Sequence, residues 1–217
     1  MDSIIEAALA RLNSQLPLKA RQDSLPQAVK SLHQHILQHL ASQGRPPDAD
    51  EVTSVPSLQD YSAGLHRLAA DDLVVLDSTG NRIMGAYPLT IESTPHRVTL
   101  HGHTLHAMCA LDAVSVAPMF ATEVLIESVC HASKTPVVIH MRDSRLLKVQ
   151  PGAEVMIGIR WQMPSTVAAH SMCLQMVFLK DRQTADTWQD GDSDNVSLFT
   201  LPAAVAFGKA FFLPLLT

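Results

Sequence analysis

Cys109 and Asp112 stand three residues apart in the run CALD at 109–112. If this run opens a helix, the spacing sets both side chains on one face. The thiol then meets the positive end of the helix dipole, which favours thiolate, the form that attacks electrophiles and binds soft metals. The carboxylate opposes its neighbour's ionisation by charge repulsion, yet it is placed to take or give a proton. A nucleophile and a proton carrier thus come together. Cys130 and Cys173 complete a set of three cysteines. An odd, sparse set reads as free thiols of a cytoplasmic protein rather than as a disulfide scaffold. Spacing alone does not separate chemistry from packing, because cysteine is among the most buried residue types and Cys173 lies in an apolar run. Histidines form a second cluster at His96, His101, His103 and His106. On a strand His101 and His103 share one face, a spacing suited to zinc or copper. No carboxylate or cysteine completes a standard ligand set beside them, so hydrogen-bonded or solvent-facing histidines are expected.

The elements that must hold these residues fall into two parts, an N-terminal helical domain at 1–90 and a catalytic domain at 91–217. Helices are expected at 3–12, at 25–43 with Ser24 as cap and Gly44 as stop, at 48–54 and at 57–70. A short strand at 73–76, the turn cluster at 77–81 and a return strand at 82–86 make a hairpin, and helices followed by a hairpin resemble a winged-helix module. From residue 95 the pattern turns β-rich. Strands are expected at 98–101 and 103–106 around Gly102, then at 123–130, 136–142, 145–149, 153–161 and 195–200, with an apolar run at 172–179. Helices are expected at 109–121, where Pro118 marks a kink or an end, at 184–189 and at 203–216. The fold class is therefore α+β, a winged-helix-like helical module followed by a mixed, mainly antiparallel β core flanked by helices.

Apolar residues make up 47 % of the 217 and charged residues only 17 %, enough for a large packed core. The formal net charge is −5, and residues 1–86 hold seven Lys/Arg against ten Asp/Glu. Both balances oppose a nucleic-acid partner, which rewards a basic stripe. Charges interrupt every apolar run in residues 1–24, so no secretory leader is expected. The apolar stretch from Val205 contains Lys209 and Pro214 and is too short to cross a bilayer, so no membrane partner is expected either.

The wider context of Cys109 is more specific. LHAMCALDAVSVAPMF at 105–120 resembles the L-Y-A-W-C-A-L-D segment of the organomercurial (alkylmercury) lyases of the mercury-resistance system. Leu105, Ala107, Cys109, Ala110, Leu111 and Asp112 match it, and Pro118 has a counterpart. ESVCHASKTPV at 127–137 is similar to the family's S-x-C-x-A-T-G-x-P-V stretch, which places Cys130. HSMCLQMVFL at 170–179 is similar to the segment carrying the second active-site cysteine, which places Cys173; Leu174 stands where a well-known member has another cysteine. TADTWQDG at 184–191 resembles T-A-E-D-W, and AFG at 206–208 has a counterpart near the family's C-terminus. Two departures fall beside the nucleophile, His106 for Tyr and Met108 for Trp, and the second brings a soft thioether near the metal.

The resemblance implies a lyase that cleaves carbon–mercury bonds by protonolysis, with Cys109, Cys173 and Asp112 as both catalytic groups and transient mercury ligands. One thiol, placed on Cys109, attacks; Asp112 accepts a proton; Cys173 adds as second sulfur; Asp112 protonates the departing carbon. The order of the two cysteines stays open. Cys130 is implied to be structural. Neither an organic cofactor nor a permanent metal is implied, only low-molecular-weight thiols for turnover and a mercuric reductase as a candidate partner. The alternatives are a non-catalytic mercury or copper thiolate-binding protein, and a relative acting on another organometal, organometalloid or thiol substrate.

Overall fold

Leu32, Ile36, Leu37 and Leu40 recur at helical spacing, and all four side chains are buried on one side of a helix at Gln27–Gln43. The structure is a computed structural model that describes residues 3–54, 58 and 60–217. Its helices are α1 (Ser3–Gln15), α2 (Leu18–Asp23), α3 (Gln27–Gln43), α4 (Tyr61–Ala70), α5 (Ala110–Phe120), α6 (Arg182–Gln189) and α7 (Leu201–Phe212). Gly44 ends α3 in a left-handed conformation, as expected, but Ser24 does not start it. Ser24 closes α2, an unexpected one-and-a-half-turn helix, and α3 begins after Pro26 with no side-chain cap. The segment expected as a third helix is a 3₁₀ helix at Ala49–Ser54. Of the helix expected at 57–70, residues 61–70 form α4, with the Ala63 N–H donating to the Asp60 side chain at 3.0 Å. Residues 55–57 and 59 lie outside the described residues.

The strands are β1 (Val75–Leu76), β2 (Ile83–Ala86), β3 (Leu89–Thr90), β4 (Arg97–Leu100), β5 (His103–Ala107), β6 (Glu123–Val129), β7 (Pro136–Arg142), β8 (Arg145–Gln150), β9 (Met156–Arg160), β10 (Met176–Leu179) and β11 (Val196–Thr200). Eight of them form one sheet in the order β1-β2-β3-β5-β4-β6-β7-β8, and the other three pair as β10-β9-β11. Every pairing is antiparallel. The β1–β2 hairpin is joined through the two-residue strand β3 to β5, so it extends the main sheet rather than standing free as a wing. In β6 and β7 alternate residues face the core, Val124, Ile126 and Ser128 opposite Val137, Ile139 and Met141. Edge strand β8 is largely exposed and carries Arg145 and Lys148, charges that discourage further pairing. One continuous hydrophobic cluster runs from Ile5 to Leu215.

At its centre lies α5. Every residue from Ala110 to Met119 is buried, so this helix is apolar nearly all round and is enclosed by α7, β5, β6 and β10. Its approach to α7 is set by Gly208. A Cβ there would fall 1.9 Å from Ser115 Oγ, closer than any real contact. The Ser115 hydroxyl is turned back onto its own helix, donating to the Leu111 carbonyl at 2.6 Å. The glycine of the AFG run therefore lets α7 cover the helix that carries the candidate chemistry.

Candidate active site

Cys109 has an extended backbone and caps α5, its Sγ accepting the Asp112 N–H at 3.3 Å. The sequence expectation of a thiol at a helix start is met in this form. Asp112 then lies in the first turn of the helix, 1 % exposed, with Oδ2 buried and lacking a hydrogen-bond partner. Cys173 arrives from the other sheet, on a 3₁₀ turn at Met172–Gln175 that leads into β10. Cys109 Sγ, Cys173 Sγ and a carboxylate oxygen of Asp112 all lie within 4.8 Å of one another. Among the described residues this is the one group of three His, Cys, Asp or Glu side chains arranged to hold a metal ion.

Burial governs the protons here. It pushes the Asp112 carboxyl up to about 7, against the opposing pull of hydrogen bonds from Cys109. The Cys109 thiol rises well above its ordinary range, first through burial, then through its closeness to the Cys173 sulfur and the Asp112 carboxyl. For Cys173 the contact with Cys109 favours the thiolate, but burial and the charges of Asp112 and Asp72 outweigh it and the thiol still rises. The resting site is thus two thiols around a carboxyl that exchanges its proton near neutral pH, a balance suited to acid–base work.

A profile of the alkylmercury lyase family matches residues 89–213, more than half of the chain. The chain belongs to the alkylmercury lyase family. The alkylmercury lyase of Bacillus cereus is 29 % identical over 117 residues, 54 % of this chain and 52 % of that protein. That of Streptomyces lividans is 26 % identical over 171 residues, 79 % of this chain and 76 % of that protein. The chain thus spans about half the length of the first of these relatives, 52 %. In fold it resembles the mercury-bound form of MerB2, with a TM-score of 0.64 and 22 % identity, covering 90 % of this chain and 98 % of that one.

Within this alkylmercury lyase fold, a cavity of about 410 Å³ opens beside the three groups, lined by Cys173, Met108, Met176, His96, Phe178 and other side chains. Cys173 is the one member of the trio on its wall; Cys109 and Asp112 lie behind it. Met108, where the family has Trp, faces the cavity and is 5 % exposed. His106, where the family has Tyr, sits with Nδ1 2.9 Å from the Thr94 carbonyl oxygen and 3.1 Å from the Thr94 nitrogen, and lies outside the cavity lining.

The segment that presents Cys173 is fastened by residues with no motif to reveal them. The Tyr87 hydroxyl donates to Asp72 Oδ1 at 2.9 Å and accepts the Ala169 N–H at 2.9 Å, while Asp72 Oδ2 accepts the Ala168 N–H at 3.1 Å. Burial drives the Tyr87 phenol upward, so it keeps its proton and donates. Asp72 adopts φ +52, a left-handed conformation at the end of α4 that turns its carboxylate toward this segment. At the cavity rim His170 Nε2 lies 2.9 Å from Glu92 Oε2, joining the same segment to the loop after β3. Asp72 and Tyr87 stand fifteen positions apart and their backbone partners more than eighty positions away, so no sequence pattern marks them.

The other candidates separate cleanly. Cys130 is fully buried at the β6–β7 connection, where its N–H donates to the Thr135 carbonyl at 2.8 Å, and it is not in the trio. His101 is not on a strand: it sits at φ +48 in the β4–β5 turn, its Nδ1 3.1 Å from the Ala41 carbonyl oxygen and its Nε2 2.9 Å from Thr122 Oγ1. His96 is held by Ser128 Oγ at 2.8 Å and pushed down to about 4 by burial. These are hydrogen-bonded histidines, as the sequence led one to expect.

Proposed function

We propose that this chain cleaves carbon–mercury bonds by protonolysis, releasing a hydrocarbon and leaving Hg(II) between Cys109 and Cys173. The observation that carries this reading is the convergence of two sulfurs and one carboxyl within 4.8 Å in a buried site reached from an apolar-walled cavity. Mercury(II) is soft and takes thiolates as its natural ligands. Carbon leaves mercury readily only when a proton is delivered to it, so the site must supply both electron donation and an acid.

The substrate arrives as R–Hg–S, carried by a small thiol. Cys173 exchanges for that thiol, giving R–Hg–Cys173 and returning the carrier with the cysteine's proton. This order is supported by the position of Cys173 on the cavity wall, which Cys109 does not reach. Cys109 then passes its proton to the Asp112 carboxylate and adds to mercury as the second sulfur. Asp112 gives that proton to the carbon, R–H departs, and Hg(II) remains on two thiolates. The proton lost by Cys109 is the one gained by carbon, and no electron changes hands between redox centres. The unpartnered Oδ2 of Asp112 supports its role as carrier, since no fixed donor occupies that oxygen. No organic cofactor enters; two external thiols remove Hg(II) and restore the cysteines, or a mercuric reductase accepts it. A cytoplasmic location, where small thiols stay reduced, suits this chemistry. Among the described residues no helix is long and apolar enough to cross a membrane.

Incubation with methylmercury or phenylmercury and excess thiol tests the reading. Methane or benzene in the headspace is expected, and mercury binding without hydrocarbon identifies a thiolate-binding protein instead.

A further inference from the structure

We propose that Met176 is a third sulfur ligand of the mercury held by Cys109 and Cys173, so that this chain closes on Hg(II) with two thiolates and one thioether. The proposal deepens the reading above and rests on mercury being the cargo. Its basis is a contact the mechanism does not use: the Cys109 thiol donates to Met176 Sδ at 3.6 Å. Mercury replaces the thiol hydrogen on Cys109, and the lone pairs that received that hydrogen already face the sulfur.

Three features make Met176 a ligand rather than a bystander. It lines the same cavity as Cys173, so its thioether borders the space an incoming R–Hg group occupies. It is the first residue of β10 and pairs with Ile159 in β9, which fixes its backbone three positions after Cys173. It is 3 % exposed, so water does not compete for its sulfur. A thioether is soft, polarisable and carries no proton to be displaced. Its donation adds electron density to mercury while the carbon is still attached, which favours protonation at carbon, and it retains Hg(II) after the hydrocarbon leaves. Met108 is also on the cavity wall, but the hydrogen bond from Cys109 goes to Met176.

Mercury-edge X-ray absorption on protein grown with selenomethionine and loaded directly with one equivalent of Hg(II) tests this without any variant. A selenium shell at bonding distance, with an occupancy of one beside two sulfurs, is expected. In Met176→Leu, a volume-conserving change, the selenium shell should vanish while the two sulfurs remain. Absence of selenium from the wild-type spectrum overturns the proposal, as does a selenium shell that survives in Met176→Leu. Because Hg(II) is loaded as the ion, these outcomes do not depend on carbon–mercury cleavage. A failed hydrocarbon assay with the selenium shell present removes the lyase reading and leaves Met176 as a mercury ligand.

Discussion

Cys109 Sγ accepts the backbone N–H of Asp112 at 3.3 Å, so the thiol that gives up its proton caps the very helix whose first turn carries the proton's acceptor. One local interaction fixes the distance between the two groups and ties their protonation together. The predictions below follow from that coupling and from the segments that hold it.

Asp112→Asn should bind mercury through both cysteines and lose hydrocarbon release by about 10²–10⁴-fold, the usual worth of a positioned proton carrier. In the native protein Asp112 must be a carboxylate to take the Cys109 proton. With its pKa up to about 7, kcat/KM should therefore rise with pH and level off above that value. Initial rates across roughly pH 5.5–8.5 check this; a flat acid limb contradicts it.

The same shift has a stability consequence of opposite sign. A carboxyl whose folded pKa is raised above the ordinary 3.8 to about 7 holds its proton in the folded state, so it favours folding at low pH and disfavours it as pH rises through 7. Asp112→Asn should thus be more stable than the native protein in alkaline buffer, as urea unfolding would show. An inactive but unfolded variant would be excluded by the same measurement.

Two histidines work the other way. His33 and His96 are buried neutral, each pushed down from 6.5 to about 4 by burial. A depressed folded pKa means the unfolded chain binds the proton first, so stability is full above 6.5 and falls as pH drops toward 4. At pH about 5 each should cost about 2 kcal/mol relative to neutral pH. His33→Gln should flatten part of that acid loss in urea titrations. His33 Nδ1 lies 2.9 Å from Gln22 Nε2, so some stability at pH 7 is expected to be given up in exchange.

Tyr87→Phe removes the hydroxyl that bridges Asp72 and Ala169 and leaves both without that partner. A loss of about 1–3 kcal/mol is expected, the cost of stranding buried polar groups. Hydrogen exchange at Ala169 should quicken. Asp72→Asn gives a sharper reading. Removing a charge that raises the Cys173 thiol should move the midpoint of Cys173 alkylation to lower pH, a shift that loosened packing alone does not predict.

Gly208→Ala puts a Cβ into Ser115 and must force α7 off α5. Overpacking of this kind costs about 1–3 kcal/mol. Pairing it with Ser115→Ala, which removes the blocking hydroxyl, should recover part of the loss.

Much of this arrangement is legible in the chain because it is local. The CALD run carries its own cap, the alternation in 123–142 gives β6 and β7, and Gly44 announces the end of α3. What is hidden is either too short or too distant. The six residues of α2 span too little chain to show a period, and β3 is a two-residue bridge defined by its partners β2 and β5. The expectation that Ser24 caps α3 fails because Pro26, with its fixed φ, makes the start instead. The Asp72–Tyr87–Ala169 fastening and the Cys109–Met176 contact join positions far apart in sequence, and neither tyrosine nor methionine announces a sulfur or an amide in space.

The most direct test is a single turnover without added thiol, one equivalent of phenylmercury per protein, with benzene and remaining free thiols measured together. The account predicts one benzene per mercury and the disappearance of two of the three cysteine thiols. Mercury bound with its phenyl group still attached, and a single thiol consumed, would contradict it.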